Sequence, residues 1–189
     1  MMKMRRDKSP SYLEDNREKW TQDYIKKIAG GKKGFSWRCD SKQLMEDLKI
    51  QTYFHCAFCD RALEPIGDSD EEIEHFKPKS KYPKSAYEWK NLYPICSKCN
   101  KIKLHRFTDL LLRPDDENYA FEKWFWYNPL SGEIEPKYEN LDFNRADKTI
   151  ELYGLNRVAL KNRRRNHFHN SKKFNLDNND LPFRFMKRD

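Results

Sequence analysis

Two pairs of cysteines, each separated by two residues, constrain the fold of this chain more than any other feature. Cys56 pairs with Cys59, and Cys96 pairs with Cys99. A C-x-x-C turn lets two thiolates reach one tetrahedral metal, and two such turns complete a four-thiolate site. The pattern predicts a structural Zn²⁺ that joins segments 36 residues apart in sequence.

Four unrelated buried or redox-active cysteines are the alternative interpretation. No apolar run is long enough to span a membrane, and the basic N-terminus is followed by polar sequence rather than an apolar signal region. We therefore expect a cytoplasmic protein, whose thiols stay reduced, and matched spacing then favours metal binding. Cys39 stands alone and is interpreted as a small apolar residue.

Aliphatic residues are scarce in this chain of 189 residues. It contains a single Val but 12 Phe, 10 Tyr and 5 Trp. Parallel sheets are buried on both faces and read as Val, Ile and Leu runs, so a large parallel sheet is excluded. We expect an α+β fold with a small aromatic core.

Charge inverts abruptly between the two cysteine pairs. Residues 62–74 hold six acidic residues and no Lys or Arg, whereas residues 77–103 hold eight lysines and one glutamate. With a net charge of +8, this pattern favours a nucleic-acid partner. A solvated lysine face would give the same pattern. The candidate nucleic-acid contacts are Lys77, Lys79, Lys81, Lys103 and Arg106.

The flanking segments predict helices and one hairpin. A helix over 9–29 would be capped by Ser9 and ended by Gly30-Gly31, and a second helix would be capped by Ser41 and end near Ile50. Residues 119–127 and 134–138 predict a hairpin. A helix over 144–153 would stop at Gly154, and Asn156 would cap the next one. We thus divide the chain into a helical extension (1–50), a zinc-stapled core (51–110) and a C-terminal hairpin with a helical, basic extension (111–189).

Polar residues stand at ordered positions around the second cysteine pair. Glu74-His75 is followed by Pro78, Asn91 precedes the pair, and Asn100 follows it directly. This order resembles the HNH, or ββα-metal, endonuclease family. The resemblance implies that His75 is the general base, that Glu74 and Asn100 bind a catalytic Mg²⁺ or Mn²⁺, and that Asn91 braces the loop between two strands.

The residue chemistry agrees with these implied roles. Phosphodiester hydrolysis needs a base near neutral pH, which imidazole supplies, and a carboxylate with an amide suits Mg²⁺. The chain departs from the family in having Glu74 where Asp is usual and Asn100 where His is usual. His55 and His105 are weaker candidates, and we interpret both as structural.

Three further segments narrow the resemblance. Residues 73–80, residues 86–92 and Thr149-Ile150 with 154–157 resemble the PtuB nuclease subunits of Septu and retron anti-phage systems. That family implies a PtuA-like ATPase partner, retron components in some systems, and DNA in preference to RNA as the target. The alternative is a zinc-stabilised nucleic-acid-binding or adaptor module without catalysis, and the intact Glu74-His75 pair favours the enzyme.

Overall fold

The computed structural model describes residues 1–63, 70–171 and 183–186, which form two small antiparallel sheets framed by helices. The first sheet pairs β1 (Glu71–His75) with β2 (Leu92–Cys96), and α4 (Ser97–Lys103) follows β2 directly. The second sheet pairs β3 (Phe125–Asn128) with β4 (Glu133–Pro136). The mixed class of helices and small sheets is therefore confirmed.

The N-terminal residues form two helices where the sequence predicts one. α1 (Ser11–Glu14) and α2 (Arg17–Ala29) are separated at Asn16, whose amide donates 3.0 Å to the Tyr12 carbonyl. Such local side-chain bonds compete with helical backbone bonding. The predicted Ser9 cap is wrong, because Pro10 occupies that position, but α2 does end at Gly30.

The third helix, α3 (Ser41–Ile50), is capped one residue earlier than predicted. Asp40 has extended backbone geometry, and its carboxylate accepts a 2.8 Å bond from the Lys42 backbone N–H. A carboxylate there also complements the positive end of the helix. α3 packs on β2, whose five residues are all buried.

The C-terminal half departs from prediction at two points. The predicted strand over 119–127 begins with a helical turn, α5 (Phe121–Trp124), so β3 is shorter than expected. Asn156 does not cap a helix but exchanges bonds of 2.8 and 2.9 Å with the Ile134 backbone, tying it to β4. The remaining α-helices of the described residues are α6 (Phe143–Tyr153) and α7 (Val158–Ser171).

Gly154 ends α6 in the left-handed conformation, as predicted. A methyl group on Gly154 would meet the Ile102 side chain of α4 at 2.7 Å, so glycine also permits α6 to pack closely on α4. α4 is thereby held between the first sheet and α6.

Two apolar clusters form the core, and both are rich in aromatic rings. The larger one surrounds the four paired cysteines, and within it Phe58 stacks on Tyr153 at 3.7 Å. The smaller one packs Leu13 and α3 against Tyr87 and Trp89. Among the described residues, no helix combines the length and apolar character that spanning a membrane requires.

Candidate active site and metal centre

The four paired cysteines converge on one point. The sulfur atoms of Cys56, Cys59, Cys96 and Cys99 lie within 4.8 Å of one another, and all four residues are buried. All five cysteines lie in described residues and none forms a disulfide. A tetrahedral zinc with Zn–S bonds near 2.3 Å separates its sulfurs by about 3.8 Å. The Cys59–Cys96 separation is 3.8 Å, so the donor set fits zinc.

The local backbone explains how the sulfurs meet. Asp60 adopts a positive φ of 60°, and its N–H donates 3.0 Å to the Cys56 carbonyl, closing a tight turn. The Ala57 N–H donates 2.9 Å to Pro94, which fixes this turn against β2. Cys96 ends β2 and Cys99 lies in the first turn of α4, so strand and helix supply the other two thiols.

Arg157 adds a positive charge that sequence reasoning did not assign. Its guanidinium lies 3.4 Å from the Cys99 sulfur and 3.9 Å from the Cys96 sulfur. A cation there offsets the negative charge that four thiolates around a divalent metal would carry. In the sequence, residues 154–157 contributed to the family resemblance. The contact between Arg157 and the cysteine sulfurs becomes visible only in the structure, where α6 packs on α4.

A cleft of about 220 Å³ lies between β1 and α4. Three of the four catalytic residues predicted from the sequence line it: Glu74, His75 and Asn100. The lining also includes Glu72 and Lys79. The cleft therefore combines carboxylate, amide, imidazole and ammonium groups.

His75 ends β1 with its imidazole almost fully buried. Its Nε2 lies 2.9 Å from the Ala86 carbonyl, which can only accept, so Nε2 carries the proton and Nδ1 keeps the lone pair. Burial, and then the charge of Lys79, lowers the pKa of His75 to about 3. The imidazole is therefore neutral at physiological pH.

Two aromatic rings from the segment between α2 and α3 hold this imidazole. Trp37 stacks on it with a centroid distance of 5.4 Å and an interplanar angle of 8°. Phe35 meets it edge-on at 5.3 Å. The N-terminal region thus contributes directly to the surroundings of His75.

Glu74 is buried beside a fully buried lysine. Its carboxylate pairs with Lys103, whose ammonium also donates 3.1 Å to the His75 carbonyl. Burial raises the pKa of Glu74 to about 6, against the opposing effect of Lys103. The structure places Lys103 in the interior and not with the exposed lysines.

Glu72 is a cleft residue that the sequence analysis missed. It accepts a hydrogen bond from the Asn100 amide. Alternate residues of a strand face the same side, so Glu72 and Glu74 share one face of β1. The two-residue spacing of Glu72 and Glu74 within the acidic segment could have identified Glu72 as a cleft residue from the sequence.

Asn91 lies outside the cleft lining and spans the loop between the strands. Its carbonyl oxygen accepts from the Lys77 N–H at 2.8 Å. Its amide donates to the carbonyls of Lys77 at 3.1 Å and Ser85 at 2.9 Å. These three bonds hold together the two ends of the loop that carries Lys79.

The remaining basic candidates occupy different surroundings. Lys77 is half-buried near the rings of Tyr82 and Phe107, whereas Lys81 is exposed. Arg106 is exposed but donates to carbonyls of Ile102 and Leu152. The predicted phosphate contacts are therefore not equivalent.

The two weaker histidine candidates also differ. His55 is buried next to Cys56, and its Nδ1 lies 2.5 Å from the Tyr53 carbonyl, which fits a structural role. His105 is exposed and lines the cleft.

Comparison with known proteins bears on this cleft and on the cysteine cluster together. Residues 56–106 match the family model of the HNH endonucleases. The chain resembles HNH nucleases. The matched segment starts at the first of the four clustered cysteines and ends beyond α4, so it includes both the cysteine cluster and the cleft.

A second likeness extends beyond this segment. The chain is 30% identical over 103 residues to the Septu protein PtuB of Bacillus thuringiensis. The alignment covers 54% of this chain and 37% of PtuB, so the chain matches little more than a third of that relative's length. The resemblance to HNH nucleases of the PtuB kind, predicted from the motifs, is confirmed.

Proposed function

We propose that this chain is a metal-dependent HNH endonuclease that hydrolyses phosphodiester bonds, with DNA favoured over RNA. The observation that carries the proposal is the His75 imidazole, oriented by the Ala86 carbonyl, in one cleft with Glu74 and Asn100. The succession of β1, β2 and α4 around that cleft supports assignment to the ββα-metal fold.

His75 would act as the general base through Nδ1. Its Nε2–H bond to Ala86 fixes the tautomer and the ring orientation, so Nδ1 is the nitrogen that would accept a proton from water. The stacked Trp37 limits rotation of the ring. Asn91 would act indirectly, because its three bonds hold the loop that presents Ala86 and Lys79.

The oxygen donors of the cleft fit Mg²⁺ or Mn²⁺. Glu74 and Asn100 would hold the ion, and Glu72 offers a second carboxylate on the same strand face. A bound divalent ion supplies positive charge for the scissile phosphate and the leaving oxygen. Lys103 would keep the buried Glu74 carboxylate ionised and fixed in position.

The biological setting we propose is anti-phage defence beside an ATPase of the PtuA type, with Zn²⁺ as the structural metal. The PtuB likeness supports this setting. The basic residues near the cleft, Lys77, Lys81 and Arg106, are the proposed nucleic-acid contacts. An association with retron components stays a prediction from the motifs.

The test is His75→Ala, compared with the exposed His169→Ala as a matched control. Plasmid DNA and total RNA are incubated with each protein and Mg²⁺, with and without the neighbouring ATPase. We expect His75→Ala to lose about 10²- to 10⁴-fold in cleavage rate while zinc content and nucleic-acid binding persist.

Partial rescue of Glu74→Ala or Asn100→Ala by excess Mn²⁺ would distinguish lost metal binding from a lost base. A His75→Ala protein that cuts as fast as the parent would remove the catalytic assignment. The adaptor interpretation would then take its place.

A further inference from the structure

Lys79 occupies a position unlike that of the other lysines of its loop. Its ammonium lies 3.5 Å from His75 Nδ1 and 4.8 Å from the centre of the Phe35 ring. It lines the same cleft as Glu74 and Asn100. By contrast, Lys77 lies near the rings of Tyr82 and Phe107, and Lys84 is exposed.

The contact with His75 has a consequence for the base. Nε2 is committed to the Ala86 carbonyl, so Nδ1 is the nitrogen with a free lone pair. An ammonium group has three donors and no acceptor, so Lys79 can only direct N–H bonds at that lone pair. A water molecule cannot give a proton to Nδ1 while Lys79 occupies the position beside it.

An anion that enters the cleft would attract the Lys79 ammonium away from His75. Among the ion pairs formed by described residues, none includes Lys79, and the nearby Glu74 carboxylate is already paired with Lys103. A half-buried ammonium without a carboxylate partner attracts a phosphate strongly, because the surroundings are less polar than water. The flexible four-carbon side chain lets the ammonium move by several ångströms without backbone change.

We infer that Lys79 is a catalytic residue that covers Nδ1 of His75 in the free protein and pairs with a non-bridging oxygen of the scissile phosphate when nucleic acid binds. The inference rests on the proposed nuclease function and deepens it. Substrate binding would itself uncover the base, so water in the empty cleft is not activated. No bond is made or broken in this step; only the ammonium changes partner.

The experiment compares Lys79→Met with the matched control Lys84→Met, which removes an exposed lysine of the same loop. Methionine keeps the length of the side chain and removes its charge. Lys79→Arg tests whether a cation of different shape restores function. Each protein is measured in two ways, one of which needs no cleavage.

The first measurement is the rate at which diethyl pyrocarbonate modifies His75 in the free protein. Mass spectrometry follows the modification, with exposed His169 as the internal reference. We expect His75 to react several-fold faster in Lys79→Met than in the parent, because Nδ1 is uncovered. Lys84→Met should match the parent.

The second measurement separates binding from chemistry with DNA at saturating protein and Mg²⁺. Lys79→Met should lower the single-turnover rate about 10²-fold, as loss of one donor to a developing charge does. Its affinity should fall less than about tenfold, since one phosphate contact among several is lost. Lys79→Arg should recover part of the rate, and Lys84→Met should keep the parental rate.

Unchanged His75 reactivity in Lys79→Met overturns the inference, whether or not the parent cleaves. Parental single-turnover cleavage by Lys79→Met overturns it as well. A parent that cuts neither DNA nor RNA contradicts the proposed function instead. The reactivity of His75 in the free protein then still tests whether Lys79 covers Nδ1.

Discussion

At the scale of single residues, Asn91 shows how one buried amide controls the geometry of the cleft. It makes three hydrogen bonds to the backbone of Lys77 and Ser85 and is nearly inaccessible to solvent. Asn91→Ala would leave these partly buried backbone groups without their side-chain partner, at about 1–3 kcal/mol in the free energy of unfolding. It would also release the loop that carries Ala86 and Lys79.

We therefore predict that Asn91→Ala loses about 10²-fold in cleavage rate, because a displacement of about an ångström at the base can have that effect. Single-turnover cleavage and urea unfolding are the measurements. Asn91→Asp is a close control, since it keeps the acceptor for the Lys77 N–H but loses both donors, and we expect it to be impaired too. Full activity in both variants would refute the bracing role.

The identities of the cleft residues could be predicted from sequence, but their charge environment could not. The resemblance of their motifs to HNH endonucleases implied that Glu74, His75 and Asn100 share one site, and the structure brings them to one cleft. A long side chain, however, can turn inward or outward from the same backbone position. Lys103 points inward to Glu74. Its place among other lysines in the sequence had predicted an exposed nucleic-acid contact, which is wrong for this residue.

At the scale of elements, the four-cysteine cluster connects a turn, a strand and a helix. Apart from the cluster, the Cys56–Cys59 turn contacts β2 through the Ala57 N–H bond to Pro94 and through the Phe58 ring, 5.5 Å from that of Tyr93. Structural zinc in small domains contributes apparent binding free energies of about 10–16 kcal/mol. The metal is therefore expected to supply most of the stability of this region.

We predict one zinc per chain and loss of the 56–106 region's fold in Cys59→Ser. Native mass spectrometry gives the stoichiometry, and thermal unfolding with and without a chelator gives the stability. Cys39→Ser is the matched control, because Cys39 lies apart from the four clustered thiols. A well-folded, metal-replete preparation without zinc would contradict the prediction.

The hairpin of β3 and β4 allows a separate test of packing at a turn. Gly132 has a φ of 75°, and a methyl group there would overlap the Lys161 carbonyl of α7. Gly31 has nearly the same φ, 72°, but open space around it. Both glycines avoid the backbone strain that other residues suffer at positive φ, but only Gly132 also permits a close approach.

Gly31→Ala should therefore lower the free energy of unfolding by about 1–2 kcal/mol. Gly132→Ala should lower it by about 1–3 kcal/mol more, because overpacking adds to the backbone strain. Urea unfolding of the two variants side by side measures the difference. Equal losses would mean that α7 shifts freely away from the hairpin.

The elements that sequence patterns predicted well are those with strong local signals. The stop at Gly154 and the end of α2 at Gly30 depend on residues a few positions away, and both were correct. Asn156 was misread because its partner, Ile134, is 22 residues away in sequence. Local patterns carry no information about such a long-range bond.

At the scale of the whole molecule, one buried carboxylate helps to hold the N-terminal residues against the core. Asp115 accepts bonds from Arg6 at 2.9 Å, Tyr93 at 2.5 Å and Arg113 at 3.2 Å. Arg6 also donates to the carbonyls of Trp89 and Leu92, next to Asn91. The segment before α1 therefore supports the strand that leads from Asn91 to the second cysteine pair.

The charges in this network determine how stability depends on pH. Burial raises the pKa of Asp115, but the hydrogen bond from Arg113 and the charge of Arg6 outweigh burial, so the pKa is lowered. A carboxylate with a lowered folded-state pKa stabilises the protein above its unfolded pKa, about 4. That contribution is lost as the pH falls through the folded-state value.

We predict that Asp115→Asn lowers the free energy of unfolding by about 3–5 kcal/mol at pH 7, because the largely buried Arg6 and the partly exposed Arg113 lose their counter-ion. The loss should begin to shrink below about pH 4, where the carboxylate of the unfolded chain becomes protonated, and should disappear as the pH falls through the lower folded-state pKa of the parent. Arg5→Gln is the contrasting variant, since Arg5 pairs with Asp7 at the surface and exposed pairs contribute at most about 1 kcal/mol. Urea unfolding across this pH range is the measurement. A loss in Asp115→Asn that stays the same size down to acid pH would assign the effect to packing and not to charge.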